Sequence, residues 1–227
     1  MRALLVGFLI MTACNLSLAN NPKSAVRNCP NNYQKIALTF DDGPWPDSTE
    51  KIVNILNKEK IKATFFVTAR HIREYPDIFK AVVKNGYEIE SHTVNHPMLA
   101  RLSEKRQKEE MQKSCEIITQ FGGKKPKFLR PPYMSYNRKT IRIADSVGLE
   151  LVTWDIDPKD WSNGANSQSI YQNIVKHAHS GAIILLHDGG KNRQKTIKAL
   201  PKIIHKLKAK GYTFVTLSEL LNTKKED

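Results

Sequence analysis

Cysteine is scarce in this chain: three residues, Cys14, Cys29 and Cys115, among 227. Beyond the N-terminal segment only Cys29 and Cys115 remain, so at most one bridge can tie that region together. The two either pair or stand as separate thiols, and spacing alone leaves both open because a bridge needs Cα atoms within about 7 Å. Long apolar runs are also missing. The stretch from Ala3 to Met11 is too short to cross a bilayer as a stable helix. Acidic residues are in deficit, 22 against 36 lysines and arginines, for a net charge of +14. That imbalance fits either an anionic neighbourhood or lysines covering solvated helix faces. Lys58, Lys60, Lys105, Lys108, Lys195, Lys198, Lys206 and Lys208 lie on apparent helices without interleaved aromatics, which argues against nucleic acid. There is no internal repeat, no low-complexity tract and no second domain, and a hydrophobic fraction of 40% can supply one core.

What is present begins with an address. Arg2 supplies a positive start, the apolar stretch follows, and Ser17-Leu18-Ala19 makes a small-x-small cleavage site, so residues 1–19 read as an export signal. Met11-Thr12-Ala13-Cys14 also resembles a bacterial lipoprotein box, in which case lipidated Cys14 would attach the chain to a membrane. Residues 20–32 read as a polar linker, 33–222 as one domain and 223–227 as a polar tail.

Across that domain, apolar runs alternate with amphipathic stretches. Strands are expected at 35–39, 63–67, 87–91, 128–129, 150–154, 182–186 and 212–217. Helices are expected from Ser48, around Ile78 to Val83, from Ser103 to Gly122, from Asn137 to Val147, from Ser167, over 193–210 and from Ser218. Seven strands alternating with helices imply parallel pairing through right-handed crossovers, an α/β architecture. An open doubly wound sheet and a barrel fit equally well. Both put their sites at the C-terminal ends of strands.

The chemistry-bearing residues fall at those ends. Thr39-Phe40-Asp41-Asp42-Gly43-Pro44 closes the first strand with two adjacent carboxylates. Burying both unpaired would be costly, and a cation bound by one would leave the other free as a base. His92 and His96 follow the third strand four residues apart, about one helical turn, so both imidazoles can face one point. With one carboxylate they give two nitrogens and one oxygen, a set that suits zinc and also cobalt, nickel or manganese. Arg130-Pro131-Pro132-Tyr133 ends the fourth strand with a rigid arginine that could pair with one of the acids. Asp157-Pro158-Lys159-Asp160-Trp161 follows the fifth, and Leu185, His187 and Asp188 end the sixth. A histidine leaving a buried strand is either a satisfied core residue or a proton donor; on this rim the donor reading is favoured.

These five stations, in this order, resemble the motifs of the NodB-type polysaccharide deacetylases, carbohydrate esterase family 4, over residues 35 to 217. The resemblance implies a distorted (β/α)7 barrel that removes N-acetyl groups from chitin oligosaccharide, peptidoglycan or poly-N-acetylglucosamine. It implies Asp42, His92 and His96 as ligands of a divalent metal, zinc first and cobalt, nickel or manganese as alternatives. Asp41 would be the general base, oriented by Arg130, and His187 the general acid, tuned by Asp160. Tyr133, Pro132, Trp161 and Leu185 would contact substrate, Tyr133 through its backbone N–H and Trp161 and Leu185 at the acetyl methyl. Met134 stands where the family often has glycine. The implied partner is an N-acetylated polysaccharide met by an exported monomer in the periplasm, envelope or extracellular space. No separate carbohydrate-binding module is visible. The competing readings are a noncatalytic envelope-binding pseudoenzyme and a metallo-amidohydrolase acting on a nonglycan amide.

Overall fold

The structure, a computed structural model, describes residues 24–31 and 33–222. The expected export signal, Cys14 and the tail lie outside the described residues. In chain order the elements are β1 (Lys35–Asp41), α1 (Ser48–Glu59), β2 (Thr64–Val67), α2 (Ala69–Glu74), α3 (Pro76–Lys84), β3 (Glu88–Ser91), α4 (Glu104–Gln120), β4 (Phe128–Leu129), α5 (Arg138–Ser146), β5 (Glu150–Leu151), α6 (Ser167–His177), β6 (Ile183–His187), α7 (Gln194–Ala209), β7 (Thr213–Phe214) and α8 (Leu217–Asn222).

Every pairing between these strands is parallel, in the order β5-β4-β3-β2-β1-β6, with β7 also on β1. Lys35 and Ile36 pair with β7, whereas Ala37 to Asp41 pair with β6, so the sheet changes partner halfway along β1. Its two ends come together through single bridges. Ile156 pairs with Ile184, Val26 with Val152 and Asn28 with Ala182. The sheet therefore curls into a distorted seven-stranded barrel instead of lying open. Residues 26–29, within the stretch read as a linker, suture the wall: Val26 N donates to Leu151 O, and Cys29 N to Gly181 O, both at 2.9 Å.

Strand parity decides what faces where. On β1, Ile36, Leu38 and Phe40 pack outward with Ile52 and Leu56 of α1 and Ile203 and Leu207 of α7 in one large cluster. Ala37 faces the barrel interior with Phe66, Phe128 and Ile183, and Thr39 and Asp41 share its parity. Each buried Ile, Leu or Phe contributes roughly 1.5–3 kcal/mol relative to exposure. The same alternation on β6 sends Ile184 and Leu186 outward and leaves Leu185 and His187 inside. Hydrophobic burial on the outer face thus aims the polar residues at one interior mouth.

Several local expectations are corrected. β1 runs two residues past Thr39, so Asp41 is its last member rather than part of a loop. β5 stops at Leu151, where the chain leaves to pair with Val26. Asp47, not Ser48, sits at the start of α1. Thr216, not Ser218, caps α8: its Oγ1 accepts from Glu219 N while its own N donates to the Glu219 carboxylate. Cys29 and Cys115 are not bridged to each other. Cys29 packs inside the barrel beside Phe128 and Val215, and Cys115 packs against a different cluster, that of Met111 and Leu129.

Candidate metal centre and catalytic cleft

Two neighbouring acids diverge at the end of β1. Asp41 keeps the strand conformation and points inward, whereas Asp42 takes a left-handed φ of 78° that turns the chain toward the mouth. Such a conformation is uncommon for a residue other than glycine. Gly43 follows because nothing larger fits: a Cβ there would run into the carboxylate of Asp188. Asp188 in turn accepts from Gly43 N at 3.1 Å and from Thr49 Oγ1 at 2.6 Å, locking the bend.

Asp41 meets a cation at once. Arg130, fully buried, donates from Nη1 to Asp41 Oδ1 at 2.8 Å and to Thr39 Oγ1 at 2.7 Å, and from Nη2 to Thr153 O at 3.0 Å. Its guanidinium lies 4.0 Å from the Phe66 ring centroid. A buried ion pair holds only when its remaining donors are satisfied, and here most are.

Asp42 instead faces two imidazoles. His96 Nε2 lies 3.1 Å and His92 Nε2 3.5 Å from its Oδ1. One ligand atom from each of Asp42, His92 and His96 falls within 4.8 Å of the others. His92 Nδ1 is 2.7 Å from Arg130 O, which occupies that nitrogen and leaves Nε2 toward Asp42. Burial favours a higher pKa for Asp42, but hydrogen bonds from His92 and His96 outweigh it and hold the carboxyl well below the usual range. Two neutral-capable nitrogens, one carboxylate and an open side match a divalent cation site.

The convergence of the histidines does not come from a helical turn, as their spacing suggests. Residues 92–96 form a loop with left-handed bends at Thr93 (φ 70°) and His96 (φ 59°). Glu110 of α4, buried, holds it from below, accepting from Val94 N and Asn95 N at 2.9 Å and from Asn95 Nδ2 at 2.7 Å.

His187 is paired in register with Asp41 on the adjacent strand. Its Nδ1 is 2.6 Å from Asp160 Oδ1, while Asp160 Oδ2 accepts from His187 N and from Thr196 Oγ1 at 3.0 and 2.7 Å. Burial works to lower the His187 pKa, but the Asp160 bond and the charges of Asp160, Asp41 and Asp42 raise it above its ordinary value. Burial likewise raises Asp160, and the His187 contact more than reverses it.

A cleft of about 530 Å³ opens above these groups, lined by Asp41, Asp42, His92, His96 and His187 together with Tyr133, Met134, Trp161 and Leu185. Tyr133 stacks edge-on against His96, centroids 4.6 Å apart, and like Trp161 is largely exposed. Tyr133 and Met134 both take left-handed backbone, φ 57° and 55°, so methionine occupies a conformation that favours glycine. Arg130 and Asp160 stand behind the lining. Pro132 is buried at the start of a short turn and does not line the cleft; Pro131 does.

Three contributors were not foreseen. Arg193, at the start of α7, reaches Asp42 Oδ2 from Nη2 at 3.6 Å while its Nε donates to Gly189 O at 2.7 Å. His71 Nδ1 lies 2.8 Å from Asp42 O. Trp154 lines the cleft beside Arg130. None sits in a local motif that would single it out, since each reaches the site through a tertiary crossing.

The family model described as "Polysaccharide deacetylase" matches residues 29–152. A peptidoglycan-N-acetylglucosamine deacetylase of Bacillus cereus is 40% identical over 197 residues, 86% of this chain and 92% of that protein. A peptidoglycan-N-acetylmuramic acid deacetylase of Bacillus subtilis is 36% identical over 86% of this chain, which spans 40% of that longer protein. A solved peptidoglycan N-acetylglucosamine deacetylase superposes with a TM-score of 0.83 at 35% identity, covering 86% of this chain and 92% of that one. The chain belongs to the polysaccharide deacetylase family, in which the relatives named above are peptidoglycan deacetylases.

Proposed function

We propose that this chain removes the acetyl group from N-acetylglucosamine residues of peptidoglycan, at the cell envelope and after export. The observation that carries it is the division of the β1 acids: Asp42 faces His92 and His96, and Asp41 faces the same cleft from the grip of Arg130. The substrate assignment rests on relatives that act on that polymer.

Asp42, His92 and His96 would hold a divalent cation, zinc first by donor chemistry. Bound there, it would supply a Lewis acid that polarises the acetyl carbonyl and makes water a nucleophile near neutral pH. Asp41 is the general base: Oδ1 is fixed by Arg130, leaving Oδ2, 3.8 Å from His92 Nε2, to take the proton of the attacking water. His187 is the general acid: Asp160 occupies Nδ1 and raises its pKa, so Nε2 carries the proton that the departing sugar amine requires. The backbone N–H of Tyr133 serves the developing oxyanion, an effect worth about 3 kcal/mol for a well-aimed donor. Leu185 and Trp161 bound the acetyl methyl, and Tyr133 offers an exposed ring to the sugar.

The test is acetate release from peptidoglycan, chitin oligosaccharide and poly-N-acetylglucosamine, using chelated protein with zinc, cobalt or nickel added back. Release from peptidoglycan that disappears on chelation and returns with metal is expected. Release indifferent to chelation, or none from any of the three with folded protein, overturns the reading.

A further inference from the structure

Away from the cleft, one face of the molecule is predominantly basic, and Glu59 of α1, the acid that reaches its edge, is taken up by His205 and Lys208. From Trp161 to Ser218 the chain has one acidic residue, the buried Asp188, against nine lysines and arginines. Helices α6 and α7, which pack side by side over that stretch, contain no acid at all. On α7, Lys198, Lys202 and Lys206 are exposed and recur every fourth residue, so their charges stack along one stripe about 6 Å apart. None of their three ammonium groups has a hydrogen-bond or ion-pair partner among the described residues. Their neighbours do: Lys195 Nζ donates to Ser162 O at 3.1 Å, Lys208 meets Glu59, and Lys210 Nζ donates to Val175 O at 2.8 Å.

An ordinary solvated helix is built differently, and α4 shows how. It mixes Glu104, Glu109 and Glu116 with Lys105, Arg106 and Lys108, and closes pairs such as Arg106–Glu109 at 3.2 Å and Lys139–Glu104 at 3.3 Å. Like charges four apart instead cost α7 roughly 0.2–0.5 kcal/mol per pair. The stripe borders a shallow groove of about 500 Å³ between α6 and α7, whose other wall is Gln168 and Tyr171. The helix that carries the stripe starts at the catalytic rim, where Arg193 reaches Asp42 and Lys195 grips the loop after Trp161.

We propose that the α6–α7 face binds a flexible polymer of phosphodiester groups, holding the protein on an anionic envelope polymer while the cleft works. Lysine presents a point charge of the kind that binds phosphate, and the stripe has no arginine fork to impose a bidentate geometry, which suits the single, freely rotating charges of a flexible phosphodiester chain. A lipid surface is disfavoured because the large exposed apolar side chains, Tyr33, Met98, Tyr133, Met134 and Trp161, all lie elsewhere. The envelope setting rests on the proposed function; binding of the polymer by this face does not.

Binding of the full chain to poly(glycerol phosphate) tests it, with salt varied. Replacing the stripe, Lys198→Gln with Lys202→Gln and Lys206→Gln, is expected to weaken binding at least tenfold and flatten the slope of log K against log salt by about 2, three contacts at roughly 0.7 each. A control with equal charge loss on α4, Lys105→Gln with Lys108→Gln and Lys113→Gln, is expected to bind like the parent. Acetate release from a short soluble chitooligosaccharide should be the same in all three proteins, which separates this face from the cleft. Equal loss in the control, equal affinity for polyglutamate, or binding only to phosphatidylglycerol vesicles overturns the proposal.

Discussion

Buried acids at the cleft and buried acids in the barrel wall are treated in opposite ways. Asp41 and Asp42 open on the mouth and Asp160 stands just behind it, and each faces a basic side chain: Arg130, the His92–His96 pair and His187. Glu90 and Asp188, as buried as Asp41 and Asp160 and more so than Asp42, are met by neutral donors. Glu90 accepts from Lys127 N and Phe128 N at 2.8 and 2.7 Å, and Asp188 from Gly43 N and Thr49 Oγ1. Burial then pushes Glu90 up to about 8 and Asp188 up to about 7, while Asp42 and Asp160 sit below their ordinary values. The fold therefore surrounds a carboxylate with positive charge where ionised chemistry happens, and uses a wall carboxyl as a neutral bracket.

The largest effects should come from breaking the cleft side of that contrast. Asp41→Asn keeps the shape and the Arg130 contact but cannot take a proton, so acetate release should fall by about three orders of magnitude or more with bound metal retained. His92→Ala should lose the metal itself. Metal content by atomic emission beside acetate release distinguishes the two; an Asp41→Asn protein that loses its metal would show that both β1 acids are ligands.

Arg130 is where charge pairing matters for folding. Arg130→Met leaves Asp41 buried beside an apolar chain with no cation, and should destabilise the protein by about 3–5 kcal/mol in denaturant titration. Adding Asp41→Asn to it should restore part of that loss, since the stranded charge is gone. If the double variant is no more stable than Arg130→Met alone, the cost lies in the lost stacking on Phe66 and not in the charge.

How much of this could be read from the chain alone follows from the range of each signal. Apolar patterning around Ile36 and Leu38 is local, so the strands and the order of the motifs were legible, whereas the inward pointing of Asp41 followed only from β1 running on past Thr39. The choice between open sheet and barrel was not, because closure rests on single bridges at Val26, Asn28 and Ile156 whose partners lie from 28 to 154 residues away. His92 and His96 were legible as a pair for a reason that turned out different: left-handed bends and the Glu110 bracket bring them together, not helical periodicity. Arg193 and His71 were invisible because a helix start and a helix side reach Asp42 only in three dimensions. Met134 was legible as a departure, and its φ of 55° says why glycine is the easier residue there.

The wall side can be broken more gently, through pH. Folded Glu90 keeps its proton up to about pH 8, whereas the unfolded chain releases it near the ordinary value of 4.5. Between those two values the folded state binds more protons, so stability falls as pH rises through the window. Asp188 adds to the fall in the same direction and is unchanged in a Glu90 variant. Glu90→Gln keeps an acceptor for Lys127 N and Phe128 N and has no proton to lose. Near pH 6 the variant should match the parent within about 1 kcal/mol, and by about pH 9 it should be the more stable by roughly 2 kcal/mol. Urea unfolding at both pH values measures the crossing. Parallel curves would mean that Glu90 is ionised in the folded wall, and the two kinds of buried acid would then differ in position alone.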